Sequence, residues 1–176
     1  MNRETFRRTA CGFLALCLVF LYSGCGPKQE DTDLKGEGLN GIAIDSVYEG
    51  TKAEQAFGKL FRTDTVSGGE KCYNYFSDQN EVSVSVRDQK VTALYSEWLL
   101  HLNGKTVTKR GISNTSSLDE IIRAYGKNYI RVDFNNQMGE EDHYVIRYQD
   151  SKDRIGLTFR FLKGETSDCD ITVQKY

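Results

Sequence analysis

Alternation of apolar and polar residues is the dominant pattern along this chain. Val82, Val84 and Val86 alternate with Ser83 and Ser85, and Tyr73 and Tyr75 alternate with polar neighbours. Ile155, Leu157, Phe159 and Phe161 repeat the pattern near the C-terminal end. A period of two puts every second side chain on one face, so these runs predict half-buried strands. Further strands are predicted around Val91, Ala93 and Tyr95, around Ile130, Val132 and Phe134, from Tyr144 to Tyr148, and around Ile171 and Val173. Asp88-Gln89 and Lys163-Gly164-Glu165 are the turns expected between neighbouring strands.

Two stretches carry the helical period instead. Leu118, Ile121, Ile122 and Tyr125 form one apolar stripe. Ser117-x-x-Glu120 precedes it as a capping box, and Gly126 ends it. Ala53, Ala56, Phe57 and Leu60 make a second, less regular stripe behind Ser46-x-x-Glu49. Gly50 weakens its first turn, which places the helix start near Thr51.

These pieces recur in order. Gly41-Ile42, Ser46-x-x-Glu49 and Ala56-Phe57-Gly58-Lys59 parallel Gly111-Ile112, Ser117-x-x-Glu120 and Ala124-Tyr125-Gly126-Lys127. Each copy reads as a short helix followed by antiparallel strands. The expected fold class is therefore α+β: two tandem helix-plus-antiparallel-sheet repeats, with the helices packed on one sheet face. The first repeat, with the bridge from Trp98 to Arg110, spans 41–110, and the second spans 111–176.

The N-terminal part follows other rules. Residues 1–8 are short and basic, Ala10 to Tyr22 are apolar over a length too short to span a bilayer comfortably, and Ser23-Gly24 precede Cys25. This resembles the lipobox of bacterial lipoproteins at Ser23, Gly24 and Cys25, with Tyr22 where Leu is usual. The resemblance implies a signal peptide over 1–24, a covalent diacylglycerol on Cys25 and a lipid-anchored, extracytoplasmic protein. Residues 26–40 are polar and lack an apolar period, so they read as a flexible tether over 25–40. The repeated helix-plus-sheet unit is similar to β-lactamase-inhibitor-protein-like domains, to envelope lipoproteins of the SmpA/OmlA type, and to many Gram-positive lipoproteins. That resemblance implies a fold and a tendency to bind proteins, and it carries no catalytic residue across.

Charge narrows the partners. The chain has 23 Lys+Arg and 25 Asp+Glu, and residues 1–24 contribute Arg3, Arg7, Arg8 and Glu4. The remainder is mildly acidic, which excludes the concentrated basic footprint of a nucleic-acid binder. Cys72 and Cys169 are left after export and lipidation, as a disulfide pair or as two separate buried thiols. His101 and His143 are isolated, and Glu140-Glu141-Asp142-His143 matches no zinc or calcium spacing, so no metal site and no cofactor are expected. No nucleophile elbow, phosphate-binding loop or dinucleotide fingerprint occurs. The expectation is a non-enzymatic module that holds an envelope protein or polymer, with an assembly or maintenance factor within a complex as the first alternative and a hydrolase of envelope material as the second. Tyr73, Tyr75, Tyr95, Trp98 and Arg110 are the candidate binding surface, since interfaces favour these residue types.

Overall fold

A computed structural model describes residues 30–66, 68–77, 81–97, 106–135, 143–165 and 168–176. A two-stranded ribbon, β1 (Gly38–Leu39) and β2 (Ile42–Ala43), leads into α1 (Gly50–Phe57). Four strands follow: β3 (Lys59–Thr65), β4 (Lys71–Phe76), β5 (Glu81–Arg87) and β6 (Lys90–Glu97). Then come α2 (Leu118–Tyr125), β7 (Ile130–Phe134), β8 (His143–Asp150), β9 (Ile155–Leu162) and β10 (Cys169–Lys175). The eight longer strands form one antiparallel sheet in the order β3-β4-β5-β6-β10-β9-β8-β7.

Register decides which side chains share a face, because directly paired residues of antiparallel strands point the same way. Val84 pairs with Leu94, which pairs with Val173, which pairs with Leu157 and then Tyr148. All five are buried, and with Val82, Ile146, Phe159 and Ile171 they form the core face. Both helices lie on it. Phe57 of α1 meets Tyr75 at 6.0 Å between ring centroids, and Tyr125 of α2 meets Tyr148 at 5.4 Å and Phe159 at 5.9 Å. Each such ring, fully buried, contributes about 1.5–3 kcal/mol.

Local chemistry explains the turns. Asp88 and Gln89 both have positive φ, 50° and 61°, the two-residue hairpin geometry that matches strand twist. Between Ser85/Ala93 and Val86/Val91 the register shifts by one extra residue on β6. That bulge explains why Val91 and Leu94 are both buried although an unbroken alternation would part them. At the outer edge, β3 is exposed along most of its length, and Phe61 stands 78% exposed at a second register shift. Lys59, Arg62 and the bulge protect this edge from further strand pairing.

Several expectations are corrected. The described residues are mostly antiparallel sheet with two helices of eight residues each, not an α+β fold of two helix-plus-sheet repeats. The physical reason is the seam between β6 and β10, paired from Ser96 with Ile171 to Ala93 with Gln174. Hydrogen bonding across that seam merges the strands into one sheet over one core. The resemblance to β-lactamase-inhibitor-protein-like and SmpA/OmlA-type domains falls with it. Ser46 makes no capping box: its hydroxyl donates to the Ala43 carbonyl at 2.7 Å, and α1 starts at Glu49 with no side-chain cap. Leu60, read into the helical stripe, lies in β3 because Gly58, at φ 100°, ends α1 first. The second capping box does form, with the Glu120 N–H donating to Ser117 Oγ at 3.3 Å and the Ser117 N–H to Glu120 Oε2 at 2.7 Å.

The tether is corrected as well from Glu30 onward. Leu34 and Leu39 are fully buried, and the Thr32 and Leu34 N–H groups donate to the Gln149 carbonyl and the Asp150 carboxylate, at 2.8 and 2.9 Å. Glu37 is 1% exposed and accepts from the Gly38 and Lys109 N–H groups and from the Tyr125 hydroxyl, at 3.1, 2.8 and 3.0 Å. A buried carboxylate is tolerated there because three donors replace its water. Cys25 and the signal segment lie outside the described residues.

Candidate functional site

The two helices and the N-terminal segment cover one face of the sheet. Among the described residues, no helix covers the other. Its side chains follow from the same registers: Cys72, Asn74, Ser83, Ser85, Tyr95, Glu97, Thr172, Asp170 and Arg160. This face is polar at its centre, the inverse of the Val-Leu-Phe core a few ångströms beneath it.

Hydrogen bonds run across it from strand to strand. Arg62 Nε lies 2.7 Å from Asp64 Oδ2, which accepts from Asn74 Nδ2 at 3.2 Å, and the Ser83 hydroxyl donates to Asn74 Oδ1 at 2.7 Å. Further along, Arg160 Nη1 reaches Asp170 Oδ2 at 3.2 Å, and the Tyr95 hydroxyl approaches the same oxygen at 3.5 Å. Residues opposite and diagonal on neighbouring strands are close enough for such pairs.

At one end of this face three carboxylates fall into a single row. Glu81 of β5 is paired directly with Glu97 of β6. Asp170 of β10 is next in register, since Ser96 pairs with Ile171, and Arg160 of β9 pairs with Asp170. Like charges directly opposite are unfavourable. Burial first, then the charges of Asp170 and Glu81, push the Glu97 carboxyl up to about 7, with Arg160 pulling the other way. Burial also raises the Glu81 carboxyl, partly offset by Arg62. The Tyr95 phenol is held well above its ordinary range by burial and by Asp170 and Glu97, so it stays neutral. Near neutrality this row is acidic but short of its full charge. It can accept a cationic group, and a protonated Glu97 can donate a hydrogen bond.

The sequence-predicted residues are scattered rather than gathered. Tyr75 is 1% exposed on the core face, where its hydroxyl bonds that of Tyr48. Tyr73, on the same face, stacks on Tyr48 at 4.4 Å. Tyr95 alone of the predicted tyrosines is on the polar face. Arg110 donates to the carbonyls of Ala124 and Asp33, at 2.8 and 2.6 Å, and lies 4.8 Å over the Tyr125 ring. It ties the N-terminal segment to α2 and lines no surface with the tyrosines. Trp98 and His101 lie outside the described residues. His143 is buried and stacks on Phe134 at 4.7 Å, a packing role. Glu81, Glu97, Asp170 and Arg160 were missed. Signals existed in Glu81 and Glu97 at outer ends of strands joined by a predicted hairpin, but pairing β10 with β6 was not readable.

Cys72 and Cys169 are both buried and unbridged. Cys72 pairs with Ser85 on the polar face, whereas Cys169 pairs with Phe161 on the core face. Their strands are separated by β5 and β6, so the thiols stand three strand spacings apart, about 14 Å, well beyond the reach of a disulfide. Burial pushes the Cys169 thiol up, which makes it a poor nucleophile. A shallow hollow beside α1 is lined by Gly41, Ile42, Tyr48, Glu49 and Lys52 and holds no histidine or cysteine. Among the described residues, no group of three or more His, Cys, Asp and Glu is arranged to hold a metal ion.

No protein-family model matches this chain, and no curated protein matches it. Among solved structures it is similar to a cysteine-rich secretory protein from Staphylococcus aureus, with a TM-score of 0.49 and 12% identity, covering 85% of this chain and 48% of that one. It is also similar to an extracellular protein containing a SCP domain from Bacillus anthracis, with a TM-score of 0.44 and 10% identity, covering 86% of this chain and 48% of that one. The chain spans about half the length of each.

Proposed function

We propose that this chain is an extracytoplasmic lipoprotein, anchored through a diacylglycerol on Cys25. In this reading it works as a non-enzymatic binding module whose polar sheet face receives a protein partner bearing cationic side chains. The carrying observation is the row Glu81, Glu97 and Asp170 on a face that neither helix covers. Half-buried carboxylates already stripped of part of their water bind a partner's Lys or Arg more strongly than fully solvated ones do. The basic first residues, the apolar run and Ser23-Gly24-Cys25 support export and anchoring.

The test is in-cell crosslinking of the tagged lipoprotein with a reagent that joins carboxylates to amines, followed by mass spectrometry. Wild type is expected to capture one dominant basic protein at near-equal stoichiometry, and the Glu81→Gln, Glu97→Gln double variant to lose it. Capture that the double variant leaves intact removes this face as the site. The anchor has its own check: Cys25→Ala is expected to abolish incorporation of a palmitate analogue, and incorporation at the wild-type level refutes it.

A further inference from the structure

Strand β7 forms the second outer edge of the sheet, and it differs from β3. It pairs with β8 without a break, from Ile130 with Arg147 to Phe134 with His143, whereas β3 is interrupted by the bulge at Phe61. Among the described strands none lies beyond β7. An unbroken edge presents its outward backbone N–H and C=O groups as a template for one more strand.

The residues of β7 decide which strand fits. Ile130-Arg131-Val132-Asp133-Phe134 runs apolar, cation, apolar, anion, apolar. Read backwards, the pattern puts an anion where the cation stood, so β7 is complementary to an antiparallel copy of itself. A two-fold axis beside Val132 sets Arg131 opposite Asp133 of the second copy and Asp133 opposite its Arg131. It also sets Val132 opposite Val132 and Ile130 opposite Phe134. Opposed residues in an antiparallel pair share a face, so a two-fold axis permits slips of two residues only. Such a slip places Arg131 against Arg131 in one direction and Asp133 against Asp133 in the other, and like charges directly opposite are unfavourable. The charges therefore select one register.

The two sides of the strand fit this arrangement. On the polar face of the sheet, Phe134 stacks on His143 at 4.7 Å, and Ile130 is 43% exposed. Pairing Ile130 with Phe134 of the second copy covers that aliphatic side chain. On the helix-bearing face, Arg131 Nη2 lies 2.9 Å from Asp133 Oδ1, and its guanidinium is held 4.0 Å over the Tyr144 ring. Around the two-fold axis the four groups alternate in sign, so each keeps its neighbour along the strand and gains one across the seam. Exposed pairs of this kind set register more than they add affinity.

We propose that two copies of this chain join through β7, edge to edge and antiparallel about Val132, extending one sheet across both with their polar faces on the same side. The contact is separate from the acidic row and stands whether or not that row binds a partner. The test places single cysteines in the full chain and treats cells that express it with a short thiol-to-thiol crosslinker. Native Cys72 and Cys169 are buried. Opposed Cβ atoms lie about 4.5–5.5 Å apart, so Val132→Cys is expected to give at least about fivefold more crosslinked dimer than Arg131→Cys, Thr63→Cys on β3 or the parent chain. In the Val132→Cys background, Arg131→Asp is expected to lose most of the dimer, because four carboxylates then meet at the seam. Exchanging both charges, Arg131→Asp with Asp133→Arg, is expected to restore it, which separates a lost contact from a lost fold. Crosslinking of Val132→Cys at the level of the controls, an Arg131→Asp variant that keeps its dimer, or an exchanged variant that does not recover each overturns the pairing. Preferential linking of Val132→Cys to Thr63→Cys on a differently tagged copy shows β7 meeting β3 instead, and overturns the two-fold contact as well.

Discussion

Glu97→Gln removes a carboxyl whose proton affinity the fold alters strongly, and pH reads the consequence. The Glu97 carboxyl stands at about 7 instead of its ordinary 4.5, through burial first and then the nearby Asp170 and Glu81. Between those two values the folded chain keeps a proton that the unfolded chain has released. The stability from this group is therefore complete below about pH 4.5 and is lost as pH rises through about 7. At about 1.4 kcal/mol per pH unit the ceiling is roughly 3 kcal/mol. Glu97 is only half-buried, so solvent screening brings the expectation to about 1 kcal/mol. Gln cannot ionise, so the variant lacks this loss. Urea unfolding at pH 5 and pH 8 measures it: wild type should lose about 1 kcal/mol more than Glu97→Gln over that interval. Identical pH dependence in the two proteins refutes the reasoning. High salt should shrink the difference only in part, since screening weakens the charge repulsion but not the burial.

Other substitutions test the fold around the site. Leu34→Ala should cost about 2–5 kcal/mol in urea unfolding, and a loss below about 0.5 kcal/mol would mean that the N-terminal segment is not part of the core. Ser117→Ala should cost about 1 kcal/mol by removing a formed cap, while Ser46→Ala should cost less than half as much; equal losses contradict the difference between the two helix starts. Cys72 and Cys169 should both react with a maleimide in denaturant and neither should react in the native protein. A reducing agent should leave the unfolding midpoint unchanged, and a downward shift would reveal a disulfide.

Strands were readable in this sequence where a single face is buried, as at Val82–Val86 and Ile155–Phe161, because burial on one side enforces the period of two. The second helix was readable because its capping box and its apolar stripe agree with each other. β3 was not, since its exposed edge position gives it no period and Leu60 fitted the preceding helical stripe. The polar residues of 30–40 concealed a docked segment, for Leu34 and Leu39 are too few to make a pattern and Glu37 is buried by its partners rather than by its own nature. The acidic row was hidden for a related reason. It depends on which strands are neighbours, and the pairing of β10 with β6 leaves no local mark on either.

That pairing has a consequence for folding. β10 is the last of the described strands in sequence, yet it lies between β6 and β9 in the finished sheet. Hairpin contacts can assemble β3 to β6 and β7 to β9 separately, but each assembly then ends in an unpaired edge. Only arrival of Cys169–Lys175 joins them. A chain stalled or truncated before that point keeps two open edges, each ready to recruit a foreign strand or a protease. The central seam therefore joins elements far apart in sequence, and until it forms neither half of the sheet is complete.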